Sequence, residues 1–524
     1  LLAIAALILA ICFRFAYLDR KVYWHDEAYT STVITARPGR YFTEELFQNK
    51  LAKPADLLAY QQFVPELTFT DMLVRKGMED VQHPPIYYVL LRFWAQLWGT
   101  DVAVVRGFSA LLSLLVLPAA YWLGLELFES RLGGWVALAL FAVSPFHLVF
   151  GQEAREYGFW TALILISSAA LLRAIRSPTW GNWALYGAAM LVAFYTAMLS
   201  LWIAIGHFAY ILVIDPDNRY LKRPWQIGKR TTASVATLLV VAFLYLPWVY
   251  FVIAARQAMG SSTSWTSIPL PKLISLQASA FNFSRSFVDF NFDFDNPLAY
   301  VLIIPLLILQ IYALYVLCRT APRRVWWFVL TFGGCTALAL WLPDLLFGGQ
   351  LFTVTRYLIP CFVATQLTVV YFLTTYLTVP QRWKSRLAML VFSLLMALGI
   401  VSCGVYTQSN TWWNKVLNSN YHQVAALINQ SNRPLIIVDP YTYNAASMIS
   451  LSYLLNPDTQ FLLLPRVGNS FPVKNLPPGK QTIFLFNLPE VFRQQFEARY
   501  QTKLTLAFQD PWNEVWQTHS LLTP

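Results

Sequence analysis

The chain has 524 residues, 57% of them hydrophobic and only 12% charged, with a mean hydropathy of +0.48. Soluble proteins rarely reach that value, and long apolar runs with few charges read as transmembrane helices. The formal net charge of +11 does not point to nucleic acid, because the charges cluster in short loops between apolar runs, where basic residues set membrane orientation.

Twenty Trp and 27 Tyr suit a protein with many anchors at the membrane interface. The five cysteines (Cys12, Cys318, Cys335, Cys361 and Cys403) lie mostly inside apolar segments without paired spacing, so they read as small buried hydrophobes. Residue 1 is not Met and the chain opens inside an apolar run. The N-terminus is therefore expected further upstream, without a cleaved signal peptide.

Residues 1–18 form the first expected span. The stretch 19–103 is too polar to cross in its first half and reads as one long external loop with amphipathic helices lying on the membrane. Ile86–Trp98 is apolar but short and holds Arg92, which predicts a juxtamembrane helix. Further spans are expected at 104–127, 133–150, 157–175, 182–197, 199–214, 232–254, 297–318, 325–343, 357–379 and 387–406. That makes about 11 crossings of the ~20 residues a bilayer demands. Alternate loops carry Arg131; Arg173 and Arg176; Arg219, Lys222, Arg223, Lys229 and Arg230; Arg319, Arg323 and Arg324; and Arg382, Lys384 and Arg386. The positive-inside rule makes those loops cytoplasmic. The long first loop, residues 151–156, 255–296, 344–356 and the C-terminus are then all outside.

From about residue 407 the composition changes. Leu435–Val438, Phe461–Leu464, Ile483–Phe486 and Leu504–Ala507 read as short strands, and 419–430, 443–455 and 489–500 have helical patterning. Strands alternating with helices predict a small external α/β domain over 407–524. The expected fold is a polytopic α-helical membrane module over 1–406 with that domain appended. No Gly-rich phosphate loop follows any strand.

Four polar clusters fall on the predicted outer face. They are His25-Asp26-Glu27; Gln82-His83-Pro84-Pro85; Ser144-Pro145-Phe146-His147 with Gly151-Gln152-Glu153-Ala154-Arg155-Glu156-Tyr157; and Thr355-Arg356-Tyr357 with Pro360. An ionised carboxylate at the interface can take a proton from an acceptor hydroxyl. Arg and His at the same level can hold a phosphate. Base plus phosphate clamp is the chemistry of transfer from a lipid-phosphate-linked donor. Each member has a structural explanation when taken singly, since helix ends meet water at this level and Arg155 can pair with its neighbour Glu156.

The order of these clusters resembles the GT-C superfamily of polytopic glycosyltransferases, in the branch of protein O-mannosyltransferases and the lipid A aminoarabinose transferase. The matching pieces are Asp26-Glu27, His83-Pro84-Pro85-Ile86-Tyr87-Tyr88, the block from Ser144-Pro145 to Tyr157, Leu246-Pro247-Trp248, and Arg356-Tyr357 before Pro360. The resemblance implies a polyprenyl-phosphate monosaccharide donor, inversion at the anomeric carbon, and an active site between the first external loop and the helical bundle. It makes Asp26 the general base with Glu27 in support, and gives His83, Arg356, Tyr357 and Arg155 to the donor phosphate. Glu153, Gln152, Tyr157 and Tyr87 fall to the substrate pocket.

The turn at Tyr195-Thr196-Ala197-Met198 lacks a His that many relatives carry. Gln152-Glu153 stands where an Asp-x-Asp would hold a divalent cation, so the motifs leave such a cation possible without requiring one. The sequence thus reads as a multi-pass glycosyltransferase of a bacterial cytoplasmic membrane, working on the extracytoplasmic face with a hydroxyl acceptor it does not identify. A polyprenyl-linked sugar transporter or flippase is the alternative of another class, and an O-antigen polymerase or ligase the closer one. Transporters place ionisable residues near the midplane and show paired repeats, and neither is visible here.

Overall fold

The computed structural model describes residues 2–217, 227–440, 444–465, 476 and 482–518. The orienting residues Arg219, Lys222 and Arg223 lie outside them. The described chain divides into two compact units. One is helical and comprises residues 1–16, 80–87 and 106–408. The other comprises 17–79, 88–105 and 409–524.

In the helical unit every predicted span falls on helix, as an integral multi-pass membrane protein requires. Among the described residues, seven helices are long and apolar enough to cross a membrane, or up to eight if one bent pair counts as a single span. Leu2–Phe15, Trp180–Phe194 and Ser200–Ile214 run 14, 15 and 15 residues, short of the ~20 a straight crossing needs. The count of about 11 is therefore not reached on length. The bent pair is Arg131–Ala142 and Pro145–Gly151, at 60°. Its break has a local cause. Ser144 precedes Pro145 and is extended (φ −70°, ψ 119°), because the proline ring disfavours a helical residue before it. The helix Arg382–Gln408 approaches that break at Gly399, where a Cβ would lie 2.6 Å from the Val143 carbonyl oxygen.

The second unit is built on a six-stranded sheet: β1 (Lys50–Ala52), β2 (Leu435–Val438), β3 (Gln460–Leu463), β4 (Ile483–Phe486), β5 (Leu504–Gln509) and β6 (Glu514–Thr518), in spatial order β1-β3-β2-β4-β6-β5. β2 runs parallel to both β3 and β4, and the outer pairings are antiparallel. The central strands are apolar throughout because both faces are covered. Ile436, Val438, Phe461, Leu463, Phe484 and Phe486 face one core, and Leu435, Ile437, Leu462, Ile483 and Leu485 the other, following the period of two.

The predicted C-terminal strands and helices are present; β1 and β6 are additional. β1 comes from the long first loop and pairs Lys50 with Leu463 and Ala52 with Phe461. Val22, Ala28, Phe42, Phe47 and Leu57 of that loop share one core with Tyr421, Val424, Ile428 and Met448. The division expected at residue 406 thus falls differently. Residues 17–79 and 88–105 group with the C-terminal domain because their apolar faces are buried there, while 80–87 group with the helical unit.

Candidate active site

The first cluster lies in the α/β unit. Trp24 is extended and caps the helix His25–Ile34. Its backbone N–H donates to Glu27 Oε2 at 3.4 Å, so Glu27 satisfies one of the helix's orphan donors. The same carboxylate lies 3.1 Å from Lys415 Nζ, and both side chains are essentially inaccessible, at 0% and 1%. Trp24 covers that ammonium with its ring, 5.4 Å from the centroid. Asn418 Oδ1 accepts from the His25 N–H at 2.7 Å, and the His25 ring packs edge-on against Tyr29 at 4.8 Å. Asp26 is the partly exposed member of the cluster and lies in the first helical turn.

The second cluster lies in the helical unit. His83 Nδ1 is 2.6 Å from Glu156 Oε1. Arg155 Nη2 lies 2.9 Å from His83 Nε2 and 3.4 Å from the Tyr157 hydroxyl, and Arg155 Nε is 3.6 Å from Glu156 Oε2. Arg155 Nη2 is also 3.1 Å from His83 Nδ1, so the guanidinium lies against the imidazole between its two nitrogens. Burial pushes the Glu156 pKa up, but Arg155 and His83 outweigh it and hold the carboxyl well below the usual range. Glu156 and Arg155 are buried, whereas His83 keeps 20% of its side chain exposed. An anion reaching that edge would meet an imidazole already backed by a carboxylate and a guanidinium.

The turn carrying His83 is fixed from two sides. Trp248 Nε1 donates to the Val81 carbonyl at 3.2 Å, and Ile86 N to the Tyr195 carbonyl at 3.0 Å. Both partners come from motifs the sequence singled out, Leu246-Pro247-Trp248 and the Tyr195-Thr196 turn. Their role in the structure is to hold this loop.

Arg356 and Tyr357 sit on the turn Thr355–Leu358. The guanidinium lies 5.7 Å from the Trp265 ring centroid and 5.6 Å from that of Tyr357. Asp344 ties the preceding turn by accepting from Leu351 N at 3.0 Å and Phe352 N at 2.8 Å. Asn282 Oδ1 accepts from Thr355 Oγ1 (2.9 Å) and Arg285 Nη1 (3.0 Å), while its amide donates to the Thr353 carbonyl (2.9 Å).

The remaining predicted residues are built into packing. Gln152 donates through Nε2 to the carbonyls of Phe13 (2.8 Å) and Ala16 (3.0 Å), closing the C-terminus of the first helix. The Tyr87 hydroxyl meets Ser109 Oγ at 2.6 Å in a fully buried position. Glu153 is buried at 1% exposure, next to the acid that engages His83 and Arg155. Among the described residues no group of three or more His, Cys, Asp and Glu side chains is placed to hold a metal ion. Sequence reasoning left Glu156 as a neighbour of Arg155 and missed Lys415, Asn282 and Arg285. Lys415 lies 388 residues from its partner, beyond the reach of any local pattern.

The segment 82–251, which opens on the His83 turn, matches the family model described as dolichyl-phosphate-mannose-protein mannosyltransferase. No curated protein matches the sequence. Among solved structures, ArnT from Cupriavidus metallidurans bound to undecaprenyl phosphate aligns with 100% of this chain and 98% of its own, at a TM-score of 0.52 and 14% identity. Its apo state aligns with 98% of this chain and 97% of its own, at 0.50 and 14% identity. The Archaeoglobus fulgidus oligosaccharyltransferase, tethered to an acceptor peptide containing the NVT sequon, aligns with 87% of this chain and 63% of its own, at 0.50 and 11% identity. The chain thus has an ArnT-like polytopic fold.

Proposed function

We propose that the protein is a membrane glycosyltransferase that moves a monosaccharide from a polyprenyl-phosphate-linked donor to an acceptor hydroxyl on the extracytoplasmic face of a bacterial cytoplasmic membrane. The observation that carries this reading is the full-length fold likeness to ArnT, whose structure holds undecaprenyl phosphate. The buried Glu156–Arg155 pair at His83 supports it, since an imidazole fixed at a part-exposed edge suits a lipid phosphate.

In this reading Asp26 is the general base. Its carboxylate takes the acceptor's proton as the acceptor oxygen forms a bond to the anomeric carbon. The bond from that carbon to the phosphate oxygen breaks, the phosphate leaves with the electron pair, and the configuration inverts. Arg356 and the His83–Arg155 pair neutralise the leaving phosphate, and charge-assisted hydrogen bonds of this kind are roughly twice as strong as neutral ones. Glu27, engaged with Lys415 and the Trp24 N–H, supports the helix that carries the base.

Mass spectrometry of lipid retained by the purified protein tests the donor, and a polyprenyl-phosphate sugar is expected. Asp26→Asn tests the base. Transfer should fall by about 10²–10⁴-fold, the usual contribution of general-base catalysis, while donor binding stays within a factor of about 3. Transfer surviving near the wild-type rate would remove Asp26 from the mechanism. Arg356→Ala should weaken donor binding by roughly tenfold or more, the value of one hydrogen bond to a charged group. Unchanged donor affinity would take Arg356 out of the phosphate clamp.

A further inference from the structure

We infer that Asn282, on the helix Lys272–Arg285, is a positioning residue for Arg356: its side-chain amide registers the turn Thr355–Leu358 against the helical bundle and so sets where the guanidinium meets a donor phosphate. This rests on the reading of Arg356 as a phosphate ligand and goes beyond it by naming what holds that ligand in place.

The chemistry of its neighbours forces the role of each atom in the Asn282 amide. Arginine only donates and a backbone carbonyl only accepts, so the amide oxygen faces Arg285 Nη1 at 3.0 Å and the nitrogen faces the Thr353 carbonyl at 2.9 Å. With that oxygen as acceptor, the Thr355 hydroxyl at 2.9 Å must donate to it. One side chain thus grips the backbone or side chain on both sides of Val354, and the second grip is on the residue before Arg356. Asn282 is 2% exposed and Thr355 8%, and hydrogen bonds shielded from water in this way are electrostatically stronger than exposed ones.

Behind Asn282 stands the bundle itself. The Ser286 carbonyl accepts from Ser144 Oγ at 2.7 Å and from Gln366 Nε2 at 2.9 Å, and Asp289 N donates to Ser402 Oγ at 3.1 Å. Those partners sit at the Ser144-Pro145 bend, on the helix Ile359–Leu377 and on Arg382–Gln408. Arg285, buried and 4.0 Å from Asp289, links this anchorage to Asn282. In front of Asn282, the rings flanking the Arg356 guanidinium ride with the turn. Tyr357 belongs to it, and Trp265 is tied to it through Gln350, which donates from its backbone N to the Thr266 carbonyl at 2.9 Å and from Nε2 to the Trp265 carbonyl at 2.8 Å. Asp344 holds the start of the segment, at Leu351 and Phe352, and Asn282 holds its end. Without Asn282 that end can shift, and Arg356 with it.

The test is the affinity of the detergent-solubilised protein for undecaprenyl phosphate, measured by isothermal titration calorimetry in a double-mutant cycle with Arg356→Ala. Asn282→Ala should weaken binding by about tenfold, close to the loss of the arginine itself. With Arg356 already replaced by Ala the same change should cost less than about twofold, because residues that act through one another are not additive. Thr355→Val keeps the shape and removes one neutral hydrogen bond, so it should weaken binding about threefold; Thr355→Ser, which restores the hydroxyl, should bring the affinity back. Should Asn282→Ala not fold, the two Thr355 variants in the same two backgrounds carry the test. Equal losses with and without Arg356 would overturn the inference and leave Asn282 a residue of stability alone. Unchanged affinity in both Asn282→Ala and Thr355→Val would overturn it as well. If Arg356→Ala itself binds undecaprenyl phosphate as tightly as the wild type, the phosphate reading of Arg356 fails instead, and the two failures are separate.

Discussion

Glu156 is enclosed at 1% exposure, yet it belongs to the charged rather than the neutral carboxyls, because Arg155 and His83 supply what burial removes. Its depressed pKa gives a definite sign. The stabilisation it contributes is complete above the ordinary glutamate pKa and is lost only as pH falls through the lower folded value. Glu156→Gln should therefore lower the melting temperature by an amount that stays constant between about pH 5 and 8 and shrinks only in strong acid. Removing one partner of a buried pair typically costs about 3–5 kcal/mol, so the shift should be large; a thermal melt across pH measures it. At this scale the sequence was only half legible. His83 and Arg155 were marked by type and motif, but which acid engages them depends on how residues 152–156 turn. Gln152 shows the same limit from the other side, since an amide beside the acid looks like a pocket residue until its bonds to Phe13 and Ala16 are seen.

Elements were legible where one face or both were apolar over their length. The C-terminal strands announce themselves as four-residue runs such as Ile483–Phe486, and the helices between them by their spacing. β1 is a three-residue edge strand with two exposed positions, and β6 is Glu-Val-Trp-Gln-Thr. Neither has a run to read, and both exist because a partner strand is waiting. The bend at Ser144-Pro145 was written in the proline, but its fit to the helix Arg382–Gln408 was not. That fit rests on Gly399. A side chain there meets the backbone carbonyl of Val143 at 2.6 Å, and backbone cannot swing away. Gly399→Val should cost about 1–3 kcal/mol, the range for overpacking, read as a lower melting temperature or poorer yield of folded protein. Gly404 of the same helix has open space at its Cβ position, so Gly404→Ala should be tolerated and serves as the control.

For the whole molecule, the unit that carries Asp26 is assembled from three separated stretches of chain. Residues 409–524 produced alone would leave Tyr421, Val424, Ile428 and Met448 without the cover of Ala28, Phe42 and Phe47. That fragment should show no cooperative melting transition by circular dichroism, despite its five strands. The same arrangement sets a timetable for biosynthesis. Glu27 and Lys415 are 388 residues apart, and a ribosome adding about 5–20 residues per second takes roughly 20–80 s to cover that distance. Throughout that interval residues 17–79 have an apolar face waiting and the strand that pairs with Lys50–Ala52 not yet made. The nascent segment is thus a natural client for a chaperone, and a truncated message would yield the membrane helices with the helix His25–Ile34 unsupported.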